Sequence, residues 1–204
     1  MNDDLNSVKS GRAYHHGALR PALIAAAETV LAERGTHGFS LREAARRAGV
    51  SPAAPAHHFG DASGLLTAVA AGAFRDLGDS LEAAETTGDR KARIRAQGIA
   101  YVRFALANRA RFDLMWRAGL LNRDEPDYAA AAARAFLLLD GAVRGGEAPA
   151  RAPGGPETAP SIACWAMVHG FATLALDGGF GTAPGAAEAA VEGLLPAVLD
   201  HLDV

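Results

Sequence analysis

The 204-residue sequence is poor in cysteine and in aromatic residues, the latter making up 6 % of the chain. Its single cysteine, Cys164, excludes an internal disulfide and suits a reducing cytoplasm. Runs of β-branched residues are nearly absent, whereas alanine, the best helix former, dominates. We expect no secretory signal after Met1, and no uncharged apolar run of about 18 residues that could span a membrane. Together these absences favour an all-α cytoplasmic protein.

The net charge of −3 taken alone disfavours nucleic acid as a partner, but the charges are unevenly distributed. Residues 5–66 contain seven Lys or Arg and four Asp or Glu, which gives +3. Residues 1–4 contribute −2, so the segment from residue 67 onward carries −4. A basic N-terminal part on an acidic body is expected of a DNA-binding regulator. The alternative is a chance fluctuation across two solvated surfaces.

The most informative segment, residues 39–66, has the pattern of two short helices joined by a glycine turn and followed by a third helix. Ser40 is a good N-cap for the first helix, and Gly49 can take the left-handed conformation that ends it. Ser51 is predicted to cap the second helix, with Pro52 at its first position. A turn of about four residues between two such helices indicates a helix-turn-helix, whose second helix fits the DNA major groove.

The N-terminal part of the chain, which includes this segment, resembles that of the TetR (tetracycline-repressor-like) regulators. The residues that carry the resemblance are Ala25, Ala26, Ala27, Gly35, Phe39, Ser40, Ala44, Ala45, Gly49, Val50, Ser51, His58, Phe59, Leu65 and Leu66. Further on, Trp165, His169 and Gly170 spell WxxxHG, which resembles the C-terminal signature of the WHG-domain branch, as do Tyr14–Gly17 and Pro52–Pro55. The resemblance implies a one-component repressor that binds a palindromic operator as a homodimer and is released by a small ligand.

The recognition helix, predicted over Pro52–Phe59, would enter the major groove of double-stranded DNA. We expect Ser40 and Ser51 to contact phosphates through hydroxyl and helix-terminal N–H groups, and Arg42 to reach a phosphate or a guanine edge. The remaining DNA-binding candidates are Ala53, Pro55 and His57 toward the bases, His58 supporting Phe59, and Arg12 and His15 on the N-terminal arm.

Two positions depart from the family pattern. Family members usually carry a tyrosine where this chain has Ala56 and a lysine where it has Ala62. A tyrosine hydroxyl and a lysine ammonium are natural phosphate contacts, and phosphate contacts supply much of the affinity for DNA. The rival hypothesis is therefore a dimeric ligand-binding or interaction protein of the same fold with weakened or lost DNA binding.

The sequence predicts about nine helices. We expect a mobile arm over residues 1–16, a helix-turn-helix domain over 17–66 and a ligand-binding and dimerisation domain over 67–204, with a flexible connection at 145–160. The two helices expected at the C-terminus, about 161–176 and 185–202, are the most apolar in the chain. A second subunit is an economical way to bury such helices, through a four-helix dimer interface. Simple core packing within one subunit is the alternative.

Much of the scarce aromatic content lies in the middle of the chain and indicates a pocket for a small apolar or aromatic effector. The candidate ligand-binding residues are Tyr101, Arg103, Phe104, Phe112, Met115, Trp116, Phe136 and His169. These aromatics could equally fill a solid core. A ligand at this place would shift the helix over residues 62–77, because that helix is continuous with the DNA-binding head.

No cofactor, metal or enzymatic motif is predicted. Adjacent histidines on a helix point about 100° apart, so neither His15–His16 nor His57–His58 can chelate one metal ion through both rings. Gly178–Gly181 lacks the spacing and the preceding strand of a nucleotide-binding loop.

Overall fold

The computed structural model describes residues 16–84, 88–145 and 154–202, and all of its regular structure in these ranges is helical. The predicted all-α class is thereby confirmed. The α-helices are α1 (His16–Arg34), α2 (Leu41–Arg47), α3 (Ala54–Phe59), α4 (Ala62–Ala83), α5 (Arg90–Ala107), α6 (Arg109–Met115), α7 (Pro126–Arg144), α8 (Ala159–Leu176), α9 (Ala186–Gly193) and α10 (Leu195–Leu199). Two 3₁₀ turns cover Ala118–Leu120 and Pro156–Thr158.

Helices α1, α2 and α3 form the N-terminal head. The N-cap of α2 is Ser40, whose hydroxyl oxygen accepts the backbone N–H of Glu43 at 3.4 Å. Gly49 ends the helix with a φ of +71°, a conformation that costs glycine little because it lacks a Cβ. The predicted helix-turn-helix is therefore present, with the local cap and turn that the sequence indicated for its first helix.

Two boundaries in the head differ from the sequence prediction. Helix α3 begins at Ala54 and not at Pro52; Ser51 lies before it in a turn closed by the Ala54 N–H and the Ser51 carbonyl at 3.0 Å. Its first turn therefore contains Pro55, where the missing N–H costs nothing. Helix α1 begins at His16, which places Pro21 in its second turn.

Helix α4 joins the head to the body, which we define as α4 to α10. Its N-cap is Asp61, whose carboxylate accepts the backbone N–H of Gly64 at 2.9 Å. Helix α4 packs against α1 and α3 of the head and against α5, α6 and α7 of the body. The boundary predicted between residues 66 and 67 thus falls inside a single continuous helix.

The C-terminal helices correct three sequence-based expectations. The helix predicted over 185–202 is two helices, because Pro196 lacks the N–H needed to continue the ladder past Leu194. The connection predicted over 145–160 is too long, since residues 156–158 form a 3₁₀ turn and α8 begins at Ala159. Residues 1–15 and 146–153, which hold most of the expected arm and connection, lie outside the described residues.

The third correction concerns hydropathy. Residues 158–176 contain no Asp, Glu, Lys or Arg, so the expectation that no long uncharged apolar run exists is wrong. The stretch Pro156–Leu176 is long and apolar enough to cross a membrane by length and composition alone, which is weak evidence for a span. Its mean hydropathy is lowered by small residues and by the polar residues Ser161, His169 and Thr173. Helix α8 packs along one side against α5, α7 and α9.

Candidate DNA-binding surface and ligand cavity

The head presents most of the predicted DNA-contacting side chains to solvent. Arg42, Ser51, Ala53 and His57 are exposed, and Ser40 is half-buried. Since the Ser40 hydroxyl oxygen accepts the Glu43 N–H, its own O–H remains free to donate to a phosphate oxygen. Arg12 and His15 lie outside the described residues.

Helix α3 corrects the expectation for Pro55. Its ring is buried, so it cannot face the bases. Pro55 and Phe59 are four residues apart and lie on the same face of α3, which is turned toward the core. His58 is exposed, and its ring centre lies 6.3 Å from that of Phe59, while the guanidinium of Arg20 lies 5.3 Å from the same ring. The expectation that His58 supports Phe59 stays a prediction.

Much of the head's positive charge is neutralised by two glutamates. The Glu43 carboxylate accepts hydrogen bonds from Arg46 Nε and Arg47 Nε, both at 2.8 Å. The hydrogen bond from Arg46 has the largest effect and the one from Arg47 the next largest. Together they lower the pKa of Glu43 to about 2. Arg47 also pairs with Glu33 at 2.5 Å and so joins α2 to α1. Arg46 and Arg47 both form ion pairs, whereas Arg42, the third arginine of α2, forms none among the described residues.

The body contains a cavity of about 410 Å³ between α4, α5, α7 and α8. Four of the predicted ligand-binding residues line it: Tyr101, Met115, Trp116 and Phe136. Helix α4 contributes Phe74, Leu77 and Leu81, so this helix forms part of the wall as well as the link to the head. Mostly apolar walls with a few polar groups are typical of small-molecule sites.

The other four predicted ligand residues lie elsewhere. The Arg103 side chain is exposed and is not part of the lining, which corrects the prediction that it belongs to the ligand site. Arg103 is two residues from Tyr101, which places it about 200° around α5, on the opposite face. Phe104 and Phe112 are 6 % and 3 % exposed and belong to the packed core. His169 is not part of the lining but contacts three lining residues, Tyr101, Trp116 and Trp165.

A hydrogen-bonded group of three side chains holds the WxxxHG residues against α5. The Tyr101 hydroxyl lies 2.9 Å from His169 Nδ1 and accepts the indole N–H of Trp165 at 3.4 Å. Burial raises the pKa of Tyr101 above its usual range and lowers the pKa of His169. The neutral pair is satisfied when the Tyr101 O–H donates to an unprotonated Nδ1. This arrangement fixes one wall of the cavity.

The sequence analysis missed most of the lining residues, and two of them, Gln97 and Cys164, carry chemistry of interest. Gln97 is 1 % exposed and faces the cavity one helical turn before Tyr101. A polar side chain within the apolar stripe of α5, at a spacing of four from Tyr101, was the available signal. Cys164 also lines the cavity, where burial raises the pKa of its thiol.

Helix α6 connects the cavity wall to the head. Met115, at its C-terminal end, lines the cavity. On the same helix the Arg111 guanidinium pairs with Glu28 of α1 at 3.2 Å and with Asp76 of α4 at 2.6 Å. The Asp113 carboxylate accepts the hydroxyl of Thr36 at 3.2 Å. A displacement of α6 would therefore act on α1 as well as on α4.

Family models match both parts of the chain. Residues 23–69 match the model of bacterial regulatory proteins of the tetR family, and residues 94–198 match a tetracyclin repressor-like C-terminal domain. The second match alone covers more than half of the sequence. Neither description specifies the WHG-domain branch, which stays a prediction.

Individual relatives agree with these matches. The chain is 39 % identical over 80 residues to the HTH-type transcriptional regulator BetI of Yersinia pestis, an alignment that covers 38 % of this chain and 40 % of that protein. The chain thus matches less than half the length of these curated relatives. A structure from Rhodococcus sp. RHA1, described as a protein with unknown function, is 35 % identical with a TM-score of 0.73, covering 93 % of this chain and 98 % of the other. The regulator PfmR from Thermus thermophilus shares the fold at 22 % identity, with a TM-score of 0.65 and coverage of 89 % and 99 %.

Proposed function

The chain belongs to the TetR family of bacterial transcriptional regulators, and we propose that it is a one-component repressor that binds a palindromic operator as a homodimer. A small effector in the body cavity releases it from DNA. The observation that carries this proposal is the continuity of α4, which runs from the helix-turn-helix to the cavity wall at Phe74, Leu77 and Leu81. We expect a cytoplasmic protein without cofactor, catalytic activity or membrane partner.

On DNA, α3 enters the major groove with Ala53 and His57 toward the base edges. Ser40, Ser51 and Arg42 contact the phosphates and fix the register of the head on the duplex. The exposure of Arg42, Ser51, Ala53 and His57 supports this assignment. Arg12 and His15 are proposed to contact the DNA backbone or the minor groove ahead of α1.

The homodimer is proposed to form through α8 and α9. The exposed face of α8 carries small or apolar residues at helical spacing, including Ala163, Ala166, Gly170 and Leu174. The Leu174 side chain is 53 % exposed and Leu194, at the end of α9, is 44 % exposed. A charge-free stripe of this kind lets two helices approach closely, and a second copy of the chain offers a matching surface.

The switch follows from the position of the cavity. A small apolar or aromatic effector between α4 and α7 pushes on α4 directly and on α6 through Met115 and Trp116. Half-sites of a palindromic operator lie about 34 Å apart, so a shift of a few ångströms prevents both heads from docking together. The effector must prefer the non-binding spacing by about 1–3 kcal/mol for useful coupling.

The proposal is tested by binding of the protein to the DNA immediately upstream of its own gene, starting at low salt. Arg42→Ala removes one proposed phosphate contact per subunit and should lower the slope of log affinity against log salt by about 1.8 in the dimer. Arg103→Ala, on the exposed face of α5, is the matched control and should leave the slope unchanged. Absence of binding to this DNA at low salt would count against the repressor.

A second candidate, a dimeric ligand-binding or interaction protein that no longer binds DNA, is favoured by Ala56 and Ala62. Ala56 is exposed on α3 and Ala62 begins α4. Since a methyl group has no hydrogen-bond donor, neither side chain can contact a phosphate. The double variant Ala56→Tyr/Ala62→Lys distinguishes the two. Tighter operator binding with a steeper salt slope supports a weakened repressor, whereas no DNA binding by either protein supports the second candidate.

A further inference from the structure

Three polar atoms on the cavity wall have no hydrogen-bond partner among the residues that the structure describes. They are the two amide atoms of Gln97, Nε2 and Oε1, and the indole Nε1 of Trp116. Gln97 is 1 % exposed, so its amide is withdrawn from bulk solvent. Both residues line the same cavity. A buried amide without a partner destabilises a folded protein, so its presence in a cavity points to a ligand that completes it.

The hydroxyl of Tyr101, on the same wall, is already engaged. It is shared between His169 and Trp165. The buried polar atoms of the wall that have no partner among the described residues are therefore N–H donors on Gln97 and Trp116 and one carbonyl acceptor on Gln97. This set is matched by a group that both accepts and donates hydrogen bonds.

The surroundings of Gln97 disfavour a charged group. Gly98, the next residue, packs so closely that a Cβ there would lie 3.0 Å from Leu199 and 3.2 Å from Val168. Among the described lining residues, Arg123 is the only charged side chain, and it is exposed. A carboxylate placed at Gln97 would lose its hydration without gaining a buried counter-charge.

We propose that Gln97 and Trp116 recognise an uncharged carboxamide or lactam group on an otherwise apolar or aromatic effector. The carbonyl of that group accepts from Gln97 Nε2 or Trp116 Nε1, and its N–H donates to Gln97 Oε1. This inference rests on the proposed function for the existence of an effector, and it specifies the chemical class of that effector.

The test uses titration calorimetry on the full chain with three probes that share one ring system: 2-naphthamide, 2-naphthoate and 2-methylnaphthalene. We expect 2-naphthamide to bind at least about tenfold more tightly than either of the others. In Gln97→Leu this preference should disappear while 2-methylnaphthalene binds at least as well. Trp116→Phe should reduce the preference only in part, since one donor of the set is lost.

Gln97→Leu should also raise the melting temperature of the ligand-free protein, because it removes an unpartnered buried amide. Gln97→Met, an unbranched side chain of similar length, replaces it if the leucine variant does not fold. Equal affinities for the three probes, binding of none of them, or an unchanged preference in the Gln97 variants would overturn the inference. The last result would mean that water alone satisfies Gln97.

Failure of this inference is distinguishable from failure of the proposed repressor. A preference for 2-naphthamide that depends on Gln97, in a protein that binds no DNA, upholds the inference and removes the repressor. If the protein binds the operator but shows no preference for 2-naphthamide, the repressor is upheld and the inference is overturned.

Discussion

The head and the body bury their apolar residues in different ways. In the head, Leu23, Val30 and Leu31 of α1 and Ala44 and Ala45 of α2 are 0–1 % exposed. In the body, larger aromatic side chains surround a cavity of about 410 Å³ and leave the Gln97 amide without a partner. A closed core holds the recognition helix in one position, whereas a hollow one can adapt to an occupant.

Helix α4 belongs to both regions. Its first turns place Leu65 and Val69 in the packed core, and its later turns place Phe74 and Leu77 at the cavity. We propose that this difference has a functional consequence: the adaptable part acts on the rigid part through α4, and also through α6 by its contacts with Glu28 and Thr36. The difference between the packed head and the hollow body can be tested with pairs of variants that have one member in each region. The pairs follow in order from the largest expected effect on stability to the smallest.

Two leucine truncations compare the cores directly. Leu23→Ala should cost about 4 kcal/mol of unfolding free energy, because the surrounding residues cannot collapse into the space. Leu77→Ala, beside the existing cavity, should cost about 2 kcal/mol, because its side chain has fewer packed neighbours to lose. Chemical denaturation of both variants measures the pair. Equal costs would contradict the distinction between a closed and a hollow core.

Removing one hydroxyl group in each region should lower the free energy of unfolding by less than the leucine truncations do. Tyr101→Phe leaves His169 Nδ1 and the Trp165 N–H without their shared partner, which should cost about 1–3 kcal/mol. Ser40→Ala removes the cap of α2, whose bond is long at 3.4 Å, and should cost about 0.5–1 kcal/mol. Thermal unfolding of the two variants provides the comparison. A larger loss at Ser40 than at Tyr101 would reverse the proposed order.

The two regions should also respond to acid in different pH ranges. Burial lowers the pKa of His169 in the folded protein, so the unfolded chain binds the extra proton first and stability falls as pH drops below about 6.5. Glu43, whose pKa is lowered to about 2 by Arg46 and Arg47, stabilises the fold above its unfolded pKa of about 4.5. That contribution is lost as pH falls from about 4.5 toward 2.

Melting temperatures across this pH range should therefore fall in two steps. His169→Asn keeps an acceptor near the Tyr101 hydroxyl and should flatten only the upper step, whereas Glu43→Gln should flatten only the lower one. A single step, or an upper step that persists in His169→Asn, would contradict the assignment.

The sequence specified the head better than the cavity because the head's signals are local. The Ser40 cap and the left-handed Gly49 each depend on a few neighbouring residues, and both are present. Helical spacing also contained information that was not used in choosing the candidate DNA-binding and ligand-binding residues. It places Pro55 on the face of Phe59, and Gln97 but not Arg103 on the face of Tyr101.

Whether the aromatic residues of the body enclose space or fill it could not be predicted from spacing. The cavity depends on how α4, α5, α7 and α8 pack together, and residues from distant parts of the chain decide that. Phe104 and Phe112 have the same aromatic character as Phe136, yet they belong to the packed core and Phe136 to the lining.

The coupling of the cavity to the DNA-binding head is tested most directly by filling the cavity without changing the head. Ala132→Trp places an indole in the lining from α7, and Ala130→Trp places the same side chain on an exposed face of that helix. Affinity for the DNA upstream of the gene is measured for both variants once circular dichroism shows that they are folded. We predict that Ala132→Trp lowers the affinity about 5- to 150-fold and that Ala130→Trp leaves it unchanged. A folded Ala132→Trp variant with unaltered affinity would contradict the coupling.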